Sequence, residues 1–105
     1  MEIKKQSESQ LSTSIIKYLT LKGYKAGKVK TAGMFRDGRY FKDRYLFGGV
    51  PDILWFKGDK MGWIETKVGK NKLSPLQVEF QQLCEEAGIR HNVVYSLDEV
   101  INIFG

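Results

Sequence analysis

Two carboxylates and a lysine are the residues of this sequence best placed to do chemistry. Asp52 opens one apolar run, and Glu65 and Lys67 close a second with Thr66 between them. Because side chains alternate along a strand, Glu65 and Lys67 are predicted to share a face, while the Thr66 side chain points away. Carboxylate oxygens suit Mg²⁺ or Mn²⁺, and such an ion polarises a phosphoryl oxygen and lowers the pKa of a bound water. These residue types are those that metal-assisted hydrolysis of a phosphate ester requires.

The distance between these groups depends on how the two runs pair. A hairpin symmetric about the bond between Asp59 and Lys60 places Asp52 across from Lys67, with Glu65 a diagonal neighbour about 7–8 Å away. One face would then carry both carboxylates and the lysine, on the condition that this register is correct. A Glu and a Lys on one strand face are also typical of a solvated pair worth under ~1 kcal/mol, so the triplet alone leaves both interpretations open.

The surroundings of these residues resemble a known family of nucleases. A G-x-P-D element ends at Asp52, an E-x-K element follows the hairpin, and Gln77 stands in an S-x-x-Q helix start. In type and order these elements resemble the VRR-NUC family of the PD-(D/E)xK nuclease superfamily, whose stand-alone members are often encoded by phages. The resemblance covers nearly the whole chain, and the first-helix glutamate of the family falls on Glu8. Thr66 departs from the family pattern, in which a β-branched apolar residue is more usual.

The resemblance implies a DNA nuclease that depends on Mg²⁺ or Mn²⁺ and has a restriction-endonuclease-like fold. Its metal ligands would be Asp52, Glu65 and the backbone carbonyl of Thr66. Lys67 would assist the attacking water, Gln77 would position Lys67 or the phosphate, and the first-helix glutamate would approach the site through a water or a second metal. The catalytic residues implied in this way are Glu8, Asp52, Glu65, Lys67 and Gln77.

The small size of the chain adds an expectation about assembly. It looks like a Holliday junction resolvase of the same superfamily, which implies a homodimer that acts on branched DNA. The C-terminal segment holds more apolar residues than one helix face needs, so they either lie in the dimer interface or close a small core. These residues are Val100, Ile101, Ile103 and Phe104.

The positive charge is concentrated in the middle of the chain. Residues 17–72 hold fourteen Lys and Arg against five Asp and Glu, whereas residues 73–105 hold one basic and five acidic residues. A basic region of this kind suits a polyanion. Interleaved aromatic residues would stack on unpaired bases, or would pack on the core beneath a solvated loop. The candidate contacts to nucleic acid are Lys28, Lys30, Arg36, Arg39, Lys42, Arg44, Lys70 and Lys72.

The elements that must position these residues follow from periodicity and capping signals. Ser7 and Gln10 form a capping box for a first helix, and Ser74 with Pro75 opens a second helix that stops at Gly88. The predicted fold class is α/β, a restriction-endonuclease-like core in the order α-β-β-β-α-β-α with a mixed central sheet flanked by helices. Its segments are a helix at 7–22, a strand at 24–30, a long basic loop at 31–48, strands at 52–56 and 63–67, a helix at 74–88, a strand at 92–95 and a short C-terminal helix.

Composition limits the other possibilities. With 105 residues the chain is expected to form one domain over 1–105, and its polar N-terminus and short apolar runs predict neither a signal peptide nor a membrane span. A single cysteine fits a reducing compartment, so we expect a cytoplasmic protein, such as a phage or prophage protein in a bacterial host. One Cys and one His exclude a Cys/His zinc site within one chain. Two alternatives remain open, a non-catalytic nucleic-acid-binding module and a catalytically retired interaction domain.

Overall fold

The computed structural model describes residues 6–29, 34–36, 39–41 and 45–105, with only the backbone for 34–36 and 39–41. Three helices and six strands are present in these residues. In chain order they are α1 (Glu8–Leu21), β1 (Lys25–Lys28), β2 (Met34–Arg36), β3 (Arg39–Phe41), β4 (Ile53–Lys57), β5 (Lys60–Thr66), α2 (Pro75–Ala87), β6 (Arg90–Val94) and α3 (Leu97–Phe104).

A four-stranded mixed sheet organises the chain, with the strand order β1-β4-β5-β6. β1, β4 and β5 are antiparallel neighbours, whereas β6 lies parallel to β5. A parallel neighbour needs a crossover, and α2 provides it between β5 and β6. The predicted fold class, α/β with a mixed sheet flanked by helices, is therefore confirmed.

The second sheet was not predicted. β2 and β3 pair as an antiparallel hairpin within the stretch interpreted as a basic loop, so that interpretation is wrong for these residues. The aromatic and β-prone residues of both strands flank an Asp-Gly pair, which is a strong short-range hairpin signal. Asp37 and Gly38 themselves lie outside the described residues.

The helix ends agree with the capping signals. Ser7 accepts a hydrogen bond from the Gln10 backbone N–H, and the Gln10 side chain accepts one from the Ser7 N–H. Ser74 and Gln77 repeat this arrangement at the start of α2, and Gly88 ends that helix in the left-handed conformation with a φ of 71°. Reciprocal caps of this kind satisfy backbone donors that a helix leaves unpaired at its first turn.

The core lies between α1, α3 and one face of the sheet. Its fully buried members are Leu11, Ile15, Leu19, Ile53, Trp55, Ile64, Val94 and Val100. Phe104 packs edge-on against Tyr24 and Trp55. Of the C-terminal apolar residues, Val100 and Phe104 thus close the core, whereas Ile101 and Ile103 are exposed. Within the described residues, no helix is both long enough and apolar enough to span a bilayer.

Candidate functional site

The β4–β5 hairpin sets the register of the two carboxylates. Lys57 pairs with Lys60 and Ile53 pairs with Ile64, so Asp52, one residue before Ile53, falls across from Glu65. The predicted pairing of Asp52 with the lysine of the triplet is wrong, because the turn is centred on Gly58 and Asp59, one residue earlier than predicted, and Gly58 adopts a φ of 61° there. The slip is two residues, an even number, so Glu65 stays on the predicted face of the sheet. Glu65 and Lys67 share a face in any register, because side chains alternate along a strand.

Asp52 is held by Thr66. Its Oδ2 accepts a hydrogen bond from the Thr66 backbone N–H at 2.9 Å and another from the Thr66 hydroxyl at 2.5 Å. Thr66 Oγ1 lies 3.0 Å from Ser12 Oγ in a buried contact. Since the Thr66 proton goes to Asp52, the Ser12 hydroxyl donates to Thr66.

Thr66 thus has a part in the site that was not predicted. Its side chain does face away from Glu65, towards α1, but Asp52 stands just before β4 and its carboxylate turns to the same side. A β-branched apolar residue at this position would make the backbone bond to Asp52 without the hydroxyl bond.

Glu65 is the most enclosed charged group of the site, with 3% of its surface exposed. Its Oε1 accepts a hydrogen bond from Gln77 Nε2 at 3.0 Å and lies 4.0 Å from Lys67 Nζ. Its Oε2 is buried and has no hydrogen-bond partner. A buried carboxylate oxygen without a donor is costly, so it marks a place where a cation or water is needed.

The capping box of α2 directs Gln77 at Glu65. Gln77 Oε1 accepts from the Ser74 backbone N–H at 2.8 Å, which leaves the amide NH₂ to point away from the cap and towards Glu65. Gly49, with a φ of 70°, brings the chain before Asp52 against the first turn of α2. A Cβ on Gly49 would lie 2.3 Å from the Leu76 carbonyl oxygen, so no larger residue fits this approach.

The electrostatics of the site centre on Glu65. Burial, and then the nearby Asp52 carboxylate, raise the pKa of Glu65 to about 8, while Lys67 opposes the shift and Glu8 adds to it. Without a cation the carboxyl is thus held mostly protonated at neutral pH. A divalent ion beside it would favour the ionised form.

The raised pKa of Glu65 predicts a pH-dependent stability in EDTA. The folded carboxyl keeps its proton up to about pH 8, whereas the unfolded one loses it near 4.5. The folded state therefore binds more protons in this window, and the free energy of unfolding should fall as pH rises from 4.5 to 8. Glu65→Gln is neutral throughout and should gain on the order of a few kcal/mol over the parent at pH 8 and above. Urea unfolding of both proteins measures the difference, and parallel pH curves would contradict it.

Glu8 joins Asp52 at a shared pocket of about 360 Å³, which Ser12 and Thr66 also line. Glu8 Oε1 accepts a hydrogen bond from Asn71 Nδ2 at 3.3 Å. The structure thus brings together the first-helix glutamate and Asp52, as the sequence resemblance implied.

Sequence reasoning missed Ser12 and Asn71. Ser12 lies four residues after Glu8 on the same helix face, which is a usable signal, whereas the loop residue Asn71 has none.

The donor set fits one hard divalent cation. The described residues contain no group of three or more His, Cys, Asp or Glu that could hold a metal by themselves. Mg²⁺ needs only one or two carboxylates, with water and substrate phosphate completing its octahedron. Asp52 and Glu65 supply that number, and the unpartnered Glu65 Oε2 is the oxygen that a cation would satisfy.

The predicted nucleic-acid contacts fall partly within the described residues. Lys28 lines the pocket beside Asp52 and donates to Ser9 Oγ at 3.1 Å. Lys70 and Lys72 are exposed in the segment that follows β5. Of the others, Arg36 and Arg39 lie on β2 and β3, of which the backbone alone is described, and Lys30, Lys42 and Arg44 lie outside the described residues.

The fold places the chain among α/β proteins with a restriction-endonuclease-like core. A solved VRR-NUC domain structure superposes with a TM-score of 0.69 at 19% identity, covering 92% of each chain. The Holliday junction resolvase Hjc of Archaeoglobus fulgidus superposes with a TM-score of 0.57 at 22% identity, over 84% of this chain and 67% of its own. No protein-family model and no curated protein matches the sequence. The fold is thus similar to that of a VRR-NUC domain and of a Holliday junction resolvase.

Proposed function

We propose that the protein is a DNA endonuclease that uses Mg²⁺ or Mn²⁺ to hydrolyse phosphodiester bonds. The observation that carries this proposal is the buried, unpartnered Oε2 of Glu65 beside Asp52, with Lys67 and Gln77 at its other oxygen. A bound divalent ion would polarise the phosphoryl oxygen and lower the pKa of a water. The VRR-NUC-like fold supports the same proposal, because the solved structures that share it include a Holliday junction resolvase.

Each residue of the candidate site would have a separate role in the reaction. Asp52 Oδ2 is engaged by Thr66, which leaves Oδ1 to face a cation. Gln77 fixes the orientation of the Glu65 carboxylate. The Lys67 ammonium, 4.0 Å from Glu65 Oε1, holds the attacking water or the charge that develops on the phosphoryl oxygens. Lys28 borders the pocket that contains Glu8 and Asp52, where its positive charge would bind the backbone of the DNA.

We further propose selectivity for branched DNA and a homodimeric assembly, working in the cytoplasm of a phage-infected or prophage-bearing bacterium. A single active site cuts one strand, whereas a two-fold dimer presents two sites to two strands. The similarity in fold to a Holliday junction resolvase supports this choice. The exposed Ile101 and Ile103 are available to such an interface. Light scattering at micromolar concentration measures the assembly, and a monomer would contradict it.

The cleavage test uses an end-labelled four-way junction and a linear duplex of the same arm sequence. We expect cleavage in Mg²⁺ or Mn²⁺, none in EDTA, and faster cleavage of the junction. Binding without cleavage in every metal would instead favour a non-catalytic nucleic-acid-binding module. Absence of binding to either substrate would favour an interaction domain.

Thr66 provides a test of how Asp52 is oriented. Thr66→Val keeps the shape but removes the hydroxyl that joins Asp52 to Ser12. We expect cleavage at limiting Mg²⁺ to fall about 10- to 100-fold, with a higher Mg²⁺ midpoint, because partners of metal ligands typically have effects of this size. Thr66→Ser should restore most of the activity. Equal Mg²⁺ midpoints for the valine variant and the parent would contradict the role.

A further inference from the structure

A second polar pocket lies at the opposite end of β4 from Asp52. It has a volume of about 250 Å³, and Lys57 at its edge lies five residues along the strand from Asp52, about 17 Å at ~3.3 Å per residue. It does not overlap the pocket that contains Glu8 and Asp52. The described residues that line it are Tyr24, Trp55, Lys57, Asp59, Lys60 and Arg90.

Three cations of three neighbouring strands meet at this pocket. Lys57 of β4 stands directly across from Lys60 of β5, and like charges in that position are unfavourable. The Lys57 ammonium donates to the Lys22 carbonyl oxygen at 3.2 Å and lies 4.4 Å from the centre of the Tyr24 ring, contacts that carry no full negative charge. Arg90 begins the next strand and lies over the Trp55 ring at 5.9 Å. Asp59 is the one carboxylate lining the described part of the pocket, and no ion pair there neutralises any of the cations. The pocket therefore carries an excess of two positive charges.

Trp55 forms the floor of the pocket and supplies an independent observation. It is 1% exposed, and its indole Nε1 is buried without a hydrogen-bond partner. The ring lies flat against Gly62, where a Cβ would stand 2.6 Å from a ring carbon. A buried N–H without an acceptor is unfavourable and rare in native structures, so it indicates that an acceptor is missing at this position.

We propose that this pocket binds a phosphate group. One anion with several acceptor oxygens would offset the excess positive charge of the pocket and reduce the repulsion between Lys57 and Lys60. It would also offer an acceptor to the unpaired indole N–H of Trp55. The volume lies below the ~300–1,000 Å³ of small-molecule sites, which favours one phosphate of a polymer over a whole nucleotide.

The phosphate belongs to a DNA segment other than the one at Asp52 and Glu65. This assignment rests on the proposed function, since a branched substrate offers a second arm beyond the cleaved strand. A span of about 17 Å corresponds to roughly five base pairs along a duplex axis. Free inorganic phosphate offers the same chemistry, and the experiment separates the two sources.

The indole N–H signals of the ¹⁵N-labelled full chain report on the pocket directly. The sequence has two tryptophans, so Trp63→Phe identifies the Trp55 signal. Titrations use sodium phosphate, a linear duplex and a four-way junction, all in EDTA. We expect the Trp55 signal to shift with the junction at micromolar concentration and with phosphate only at higher concentration. A shift with phosphate and none with either DNA would overturn the assignment to a DNA arm.

Variants then locate the site. Lys60→Ala/Arg90→Ala should abolish the Trp55 shift, and the slope of log K against log salt for junction binding should fall by ~0.9, because one DNA phosphate is no longer neutralised. Lys60→Ala alone, at an exposed position, should weaken the shift if the double variant folds poorly. The matched control, Lys17→Ala/Lys25→Ala, removes the same charge from exposed positions and should leave the Trp55 shift intact.

The experiments can contradict the phosphate site and the nuclease activity independently of each other. A Trp55 shift that is absent with all three probes, or that persists in the double variant, overturns the phosphate site whatever the cleavage assay shows. A Trp55 shift that depends on Lys60 and Arg90, in a protein that cuts no DNA, supports the site while the nuclease proposal fails.

Discussion

Glu65→Gln and Asp52→Asn are each expected to abolish DNA cleavage while the protein stays folded. Either change removes one of the two carboxylates that are proposed to hold the Mg²⁺, an ion usually bound by only one or two such groups. A metal ion stabilises a phosphoryl transition state by several kcal/mol, so the rate should fall at least about 10³-fold. Single-turnover cleavage of the four-way junction in Mg²⁺ measures the effect.

The Glu65→Gln variant separates chemistry from stability. Because the parent carboxyl is buried and its pKa is raised to about 8, the amide should make the fold more stable at high pH while the activity disappears. DNA binding in EDTA should be retained or strengthened, since a negative charge near the phosphate is removed. Glu79→Gln, an exposed change of the same chemistry on α2, is the matched control and should cleave normally. Full activity in either site variant would end the proposed mechanism.

The parts of this fold that were predictable depend on local signals. Ser7 and Ser74 each carry a glutamine three residues on, and both form the reciprocal cap that this spacing predicts. Gly88 ends α2 for a similar reason, because glycine adopts a positive φ without steric cost. Each of these interactions spans only a few residues, so tertiary packing does not override it.

The register of the β4–β5 hairpin was not predictable in the same way. Two glycines, at 58 and 62, flank the turn, and each can open a hairpin of a different length. The structure uses Gly58 in the turn, while Gly62 lies in β5 beneath the Trp55 ring. That second use is a packing contact with a distant residue, which periodicity does not reveal. Glu65 still lies on the predicted face of the sheet, because the observed register differs from the predicted one by two residues, an even number.

The candidate site was predicted by residue type but not in its connections. Strand alternation alone places Glu65 and Lys67 on one face, and the capping box that shapes Gln77 was visible in the sequence. The bonds from Ser12 through Thr66 to Asp52 join α1, β5 and the start of β4. They depend on the three-dimensional approach of those elements, which no local pattern encodes.

Lys67→Met is expected to lower the single-turnover rate about 10²- to 10³-fold, the range typical of removing one group that stabilises transition-state charge. The change keeps most of the length and apolar stem of the side chain and removes the ammonium, which lies 4.0 Å from Glu65 Oε1. The Mg²⁺ midpoint should change far less than the rate, because the lysine is not a ligand. Lys25→Met on the exposed β1 strand removes the same charge elsewhere and should leave the rate unchanged.

A pH profile distinguishes two ways in which Lys67 can act. Its charge lowers the pKa of Glu65, so removing it raises that pKa further and leaves less ionised carboxylate at neutral pH. If this were the whole effect, Lys67→Met would regain the parent rate once the pH passed well above 8. A lysine that holds the water or the developing phosphoryl charge cannot be replaced by ionising Glu65, and the deficit then persists at every pH. We expect the persistent deficit, and recovery of the parent rate at high pH would reduce Lys67 to an electrostatic neighbour of the metal ligand.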